Sequence, residues 1–215
     1  MSEMVNIFDE NQQLIGSAER SEAHRLGLMH DVVHCWVVDP RGEGRVYFQQ
    51  RSRSKATFPL YYDIAVGGHI QAGEPPEKAA LREIKEEIGL ELHSWELCYC
   101  GSLRKSDYFS EGLDREIGRV FLFTRPAPCF EPGDELERMV SISLPEYLRR
   151  FQLPFVSART EDGLGLEIYP ENWAGTMSRE FEDIVLPHIR LLPDDKSEFY
   201  GSCSMFSTGD DVRPC

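Results

Sequence analysis

Three glutamates, Glu83, Glu86 and Glu87, crowd into the run REIKEEIGL. Spacings of three and four residues put all three carboxylates on one face of a helix. Like charges at that spacing repel, so the cluster destabilises a helix unless a cation sits on it. Hard divalent cations take oxygen ligands, and Mg²⁺ is held by a few carboxylates together with substrate phosphates. The chemistry open to such a cluster is metal-assisted substitution at phosphorus. The bland alternative is a solvated acidic face.

The carboxylates need a helix to carry them and a loop to orient it. Ala79, Ala80, Ile84 and Ile88 recur at helical spacing, which predicts a helix starting near Glu77. Pro76 ahead of it and Gly89 behind it are start and stop punctuation. The loop Gly73-Glu74-Pro75-Pro76 leads into the helix.

Taken together, Gly68–Leu90 fits the pattern G-x5-E-x7-R-E-U-x-E-E-x-G-U, where U is apolar. Gly68, Glu74, Arg82, Glu83, Ile84, Glu86, Glu87, Gly89 and Leu90 fill every fixed place. The stretch resembles the signature of the Nudix hydrolases, which cleave a nucleoside diphosphate linked to another moiety. That resemblance implies an α+β protein with the Nudix fold, an α/β/α sandwich around a mixed β-sheet. It implies Glu83, Glu86, Glu87 and Arg82 as the catalytic set. Glu83, Glu86, Glu87 and the Gly67 carbonyl would hold Mg²⁺, with Mn²⁺ as a substitute. Glu83 also stands where some members place the general base. Arg82 is expected to bridge carboxylates such as Glu74 and so dock the loop on the helix. A surface pair with Glu86 is its other reading.

A second resemblance is finer. The order His24, His30, Arg51, Lys55, Phe58-Pro59, Val66-Gly67-Gly68-His69 and Asp114-Arg115-Glu116 is similar to type 1 isopentenyl-diphosphate isomerase. That enzyme belongs to the same superfamily. The similarity implies a second metal site of His24, His30, His69, Asp114 and Glu116. It also implies diphosphate contacts from Arg51 and Lys55, and a pocket cover from Trp173. Two departures matter. The gap between the first two histidines is one residue shorter here. The isomerase has a cysteine directly before Gly-His, where this chain has Gly67.

Six cysteines show no C-x-x-C pair, and reduced thiols are expected. A net charge of −14 argues against a nucleic-acid polymer as partner. The polar, acidic N-terminus does not read as a secretory signal, and no apolar run is long enough for a membrane span. The expectation is a cytoplasmic protein acting on a small-molecule diphosphate, with a homodimer open.

The organisation expected is a single domain over 1–192, with an N-terminal hairpin at 4–20 and the box at 68–90. A polar, mobile tail is expected over 193–215. Strands are predicted at His30–Val38, Arg45–Gln50, Asp63–Val66, Trp95–Leu103, Gly118–Thr124 and Val140–Leu144. A short strand is expected to feed a turn at Gly67-Gly68. Asp107–Arg115 reads as a polar loop, and Glu180–Leu192 as a helix interrupted by Pro187. Residues 154–173 carry Gly and Pro punctuation without an assignable element. The function these features predict is Mg²⁺- or Mn²⁺-dependent hydrolysis of a diphosphate linkage. The alternatives are isopentenyl-diphosphate isomerisation and a non-catalytic nucleotide-binding module.

Overall fold

The computed structural model describes residues 3–109, 112–174 and 179–191. The tail expected over 193–215 lies outside the described residues. Eleven strands form one sheet among those described. They are β1 (Met4–Phe8), β2 (Leu14–Glu19), β3 (Met29–Asp39), β4 (Arg45–Arg51), β5 (Tyr62–Ile64) and β6 (Val66–His69). The second half adds β7 (Cys98–Phe109), β8 (Gly112–Thr124), β9 (Leu136–Ser143), β10 (Val156–Thr160) and β11 (Gly165–Ile168). The helices are α1 (Arg20–Leu26), α2 (Pro76–Ile88) and α3 (Leu144–Leu148).

The sheet is mixed because β3 runs parallel to β8 and antiparallel to β4 and β6. β3 is the central strand, and alternation along it builds two cores. Val33, Cys35 and Val37 face α2, where Ala79, Ala80, Ile84 and Ile88 are fully buried. Trp36 and Val38 face the opposite layer of Tyr147, Phe181 and Val185. β8 repeats the pattern, with Phe121 and Phe123 on the α2 side and Val120 and Leu122 on the other. Helical layers on both faces of a mixed sheet are the sandwich expected from the family resemblance.

Several local readings change. Asp107–Arg115 is not a loop: β7 and β8 form a long hairpin whose pairing runs from Cys98↔Leu122 to Phe109↔Gly112. Cross-strand pairing overrides the polarity of that stretch. Gly67 and Gly68 do not form a turn. They lie within β6, opposite His34 and Val33. Residues 156–168 form a hairpin that adds two strands beside β9. The segment after Glu180 is a π-turn over Phe181–Val185 and a 3-10 turn over Leu186–His188, because Pro187 has no amide to donate. Cys35, Cys98 and Cys100 are free thiols, and Cys203 and Cys215 lie outside the described residues.

Candidate active site

The box helix α2 begins with Pro76 in its first turn and ends at Gly89, whose φ of +69° suits glycine. Its buried positions Ala80, Ile84, Glu87 and Ile88 follow the helical stripe, so Glu87 sits inside an otherwise apolar row. The three carboxylates are therefore not equivalent. The Glu87 residue is 8% exposed, while the Glu83 side chain is 12% and the Glu86 side chain 60% exposed. Glu87 accepts hydrogen bonds from the Gly67 amide at 3.2 Å and the Gln49 amide at 3.3 Å. Burial and the nearby Glu83 push its carboxyl up to about 8. Burial also raises Glu83, against the pull of Arg82.

Arg82 organises the rim. Its guanidinium grips both oxygens of Glu74 at 3.0 and 2.9 Å, reaches Glu83 at 2.6 Å and Glu86 at 3.2 Å, and donates to the His69 carbonyl at 3.1 Å. The planar fork makes this many contacts possible in one geometry. Glu74 in turn accepts from the Gln71 amide at 3.1 Å, which closes the entry loop. Gly68 lies directly under Glu83: a methyl group there would overlap the Glu83 carboxyl. The strand-to-helix approach that aims Glu83 thus requires glycine at that position.

The donor set suits a hard divalent cation. Glu87 is buried and Glu83 half-buried, Glu87 is held unusually basic, and Arg82 and Lys55 supply the positive charge that acts on the pair. The Gly67 carbonyl belongs to the same strand residue whose amide meets Glu87.

On the other side of β6, His24, His30 and His69 come together, with ligand atoms within 4.8 Å of one another. His30, Asp114 and Glu116 meet the same criterion. The hairpin that replaces the expected loop puts Glu116 opposite His30 in register. His30 Nδ1 lies 2.9 Å from the Leu28 carbonyl, which fixes the proton on Nδ1 and leaves Nε2 with its lone pair. That Nε2 and Asp114 Oδ1 are buried without a hydrogen-bond partner, 3.7 Å apart. The Nε2 atoms of His24 and His69 stand 3.0 Å apart, and His24 Nδ1 lies 3.3 Å from Asp114. Burial and the cationic surroundings push His69 down to about 2, so it stays neutral. Orphaned buried donor atoms of this kind fit a transition-metal ion held by imidazole and carboxylate.

The basic loop closes on itself. Arg51 reaches Asp63 at 3.3 Å and the Thr57 carbonyl at 3.1 and 3.2 Å, and Lys55 pairs with Glu135. Phe58 and Leu60 carry φ values of +50° and +66°, which is costly for side chains with a Cβ. Trp173 packs among Phe48, Tyr62 and Tyr147 on the sheet face away from α2. Two features escaped the sequence reading. Glu180 is buried and accepts from Trp36 at 2.7 Å, with His34 Nδ1 at 2.8 Å. A cavity of about 260 Å³ opens beside Glu116, and Arg104, Lys105 and Arg115 are in its lining. Glu180 lies far from the box and no motif marks it, whereas the cavity takes part of its lining from Arg115 and Glu116 of the Asp114-Arg115-Glu116 run, and spacing alone does not show that a cavity forms there.

A NUDIX domain family model matches residues 28–156. An uncharacterised Nudix hydrolase of Clostridium acetobutylicum is 34% identical over 151 residues, covering 68% of this chain and 73% of the relative. Isopentenyl-diphosphate Delta-isomerase 1 of Photorhabdus laumondii is 29% identical over 134 residues, covering 61% of this chain and 75% of the relative. Matches to Nudix hydrolases of Streptomyces coelicolor, a Nostoc species and Pseudomonas aeruginosa span about half of each relative's length. A crystal structure from Deinococcus radiodurans aligns over 84% of this chain and 96% of that one, at 22% identity and a TM-score of 0.49. No helix among the described residues is long and apolar enough to cross a membrane. With a family model over more than half of its length and a relative matched along most of both chains, this chain belongs to the NUDIX domain family, as a Nudix pyrophosphohydrolase on the branch that resembles type 1 isopentenyl-diphosphate isomerase.

Proposed function

We propose that the chain hydrolyses a diphosphate linkage in a nucleoside diphosphate derivative or a related organic diphosphate, with Mg²⁺ or Mn²⁺ bound at the box. The observation that carries this reading is the Glu83–Glu87 pair, with Glu87 buried and held up to about 8. A carboxyl pair this unfavourable in a metal-free pocket is stabilised by a cation, which binding alone does not require. Bound there, the ion would neutralise phosphate charge and lower the pKa of an attacking water.

The chain's own groups have separate tasks. Glu83, Glu86, Glu87 and the Gly67 carbonyl hold the ion. Glu83, aimed by Gly68 and Arg82, is also placed to take a proton from water. Arg82 positions the carboxylates rather than touching substrate. Arg51 and Lys55 exchange Asp63 and Glu135 for substrate phosphates. Arg104, Lys105 and Arg115, which pair with Glu10 and Asp107, line a further cavity that would receive the remainder of the diphosphate group. His24, His30, His69, Asp114 and Glu116 hold a second, transition-metal ion, and Trp173 covers the pocket.

Isomerisation is the second reading, favoured by the match to the isomerase and by the assembled histidines. Gly67 counts against it, because the position offers no thiol for proton transfer to an alkene. The loss is chemical, not steric: a Cβ at Gly67 would meet nothing closer than 3.5 Å. The test is metal-dependent release of phosphate or monophosphate from a panel of nucleoside diphosphate derivatives. Glu83→Gln or Glu87→Gln should abolish it. A protein that turns over nothing on the panel, yet interconverts isopentenyl and dimethylallyl diphosphate, overturns the hydrolase reading. Inactivity in both assays favours a binding module.

A further inference from the structure

We propose that Cys98, Cys100 and His188 form a binding site for Zn²⁺ that clamps the Leu186–His188 turn onto β7. The site is separate from the box and from the histidine cluster, and the proposed hydrolysis does not use it.

The three side chains come from two places in the chain. Cys98 and Cys100 lie on β7, and His188 closes the 3-10 turn that follows the π-turn. Their ligand atoms all fall within 4.8 Å of one another. Cys98 Sγ is 3.7 Å from His188 Nδ1, and Cys100 Sγ is 3.5 Å from the Cys98 carbonyl. Tetrahedral Zn²⁺ with ordinary bond lengths sets its sulfur and nitrogen donors roughly 3.3–3.8 Å apart. The Cys98–His188 contact already has that span, so closing the set needs side-chain movement only.

Local backbone geometry gathers these groups. The β7–β8 register slips between Tyr99 and Gly101, leaving Cys100 as the extra residue of a bulge. Gly101 takes a φ of +151°, and a Cβ there would press on Ile184 at 3.3 Å. Strand and turn are therefore in close contact beside the thiols. Cys98 and His188 are exposed and Cys100 is half-buried, so an ion can enter from solvent.

Two thiolates and one imidazole are soft ligands that select Zn²⁺ over Mg²⁺. Three protein ligands leave one tetrahedral position to solvent. Thiols bind the ion as thiolates, so binding displaces their protons and tightens as pH rises. The clamp acts on a functional neighbourhood. The same segment begins at Glu180, which ties it to His34 and Trp36 on β3. His34 pairs with Gly67 in the sheet. Fixing His188 would hold the far end of that segment.

Co²⁺ is the probe, because only thiolate ligation gives an intense sulfur-to-cobalt charge-transfer band. The full chain is titrated with Co²⁺ under a non-thiol reductant, and Zn²⁺ is then used to displace it. The box and the histidine cluster offer oxygen and nitrogen alone, so they stay silent in this band. Expected are a saturable band in the wild type, its loss in Cys98→Ser and Cys100→Ser, and its retention in a Cys203→Ser/Cys215→Ser double variant. His188→Ala should weaken Co²⁺ and Zn²⁺ binding by about tenfold or more. Zn²⁺ should also slow amide exchange over 180–188. No band, or a band that survives the Cys98→Ser/Cys100→Ser double variant, overturns the site. A band without slowed exchange overturns the clamp. Neither outcome touches the hydrolase reading, which is scored on diphosphate turnover.

Discussion

Replacing Gly68 with alanine should disable the site while leaving the fold in place. The added methyl would overlap the Glu83 carboxyl, so that carboxyl must move. Relief of the overlap needs a shift of about 1 Å or more. A misplacement of that size in a reacting group costs about a hundredfold in rate, or about 2.7 kcal/mol of barrier. The stability cost is much smaller. The moved carboxyl gives up its 2.6 Å contact to Arg82, but Arg82 keeps Glu74 and Glu86. One such contact in a partly exposed network contributes about 1 kcal/mol. The lower entropy of an unfolded alanine chain offsets about half of that. The midpoint of thermal unfolding should then fall by less than about 4 °C. The assay is steady-state diphosphate hydrolysis across a Mg²⁺ titration, with thermal unfolding in parallel. Expected are a kcat lower by about two orders of magnitude and weaker Mg²⁺ dependence. A kcat within about threefold of wild type, in a folded protein, would refute the claim that Gly68 aims Glu83. If the variant unfolds, Glu83→Gln, which adds no bulk, still tests whether turnover needs the Glu83 carboxylate.

In metal-free protein, Glu87 has a folded pKa of about 8 against an ordinary 4.5, so the folded state binds its proton more tightly than the unfolded state does. Its contribution to stability is therefore present below about pH 4.5 and lost as pH rises toward 8. Glu87→Gln should flatten this loss and be more stable than wild type at pH 8, by about 1–3 kcal/mol, while abolishing turnover. Urea unfolding in a chelator across pH checks it, and parallel profiles for the two proteins sink it. Arg82→Lys removes the two-point grip on Glu74 and should lower activity about 10- to 100-fold at unchanged fold. Circular dichroism beside the hydrolysis assay separates those effects. His30→Ala should weaken Mn²⁺ binding at the histidine cluster by about tenfold or more, read by metal content after equilibrium dialysis. Arg51→Ala should raise KM more than it lowers kcat, because it removes a phosphate contact and not a reacting group. An unchanged KM would leave Arg51 with Asp63 and Thr57 alone.

Desolvation of Glu87, and to a lesser degree of Glu83, sets stability against function. These two carboxyls, held above their ordinary range, lower the stability of the metal-free chain when they ionise. Metal binding should therefore raise thermal stability in the wild type more than in Glu87→Gln.

The box, its helix and the family were legible in sequence because they depend on local spacing. Helical periodicity puts Glu83, Glu86 and Glu87 near one another, and glycine punctuation marks where the helix must end. Spacing could not say that Glu87 is buried while Glu86 is exposed, because that depends on which side of α2 meets the sheet. The same limit applied to Asp107–Arg115. Its polarity reads as a loop, and only pairing with the neighbouring strand carries Glu116 opposite His30. The hairpin at 156–168 gains its partners from β9, so its own residues carry little signal. Sequence alone determined which groups could bind a metal and a diphosphate. Tertiary structure decided which carboxylate is desolvated, that the three histidines meet across β6, and that Cys98 and Cys100 face His188. Those outcomes rest on contacts between residues far apart in the chain, and short-range spacing carries no information about them.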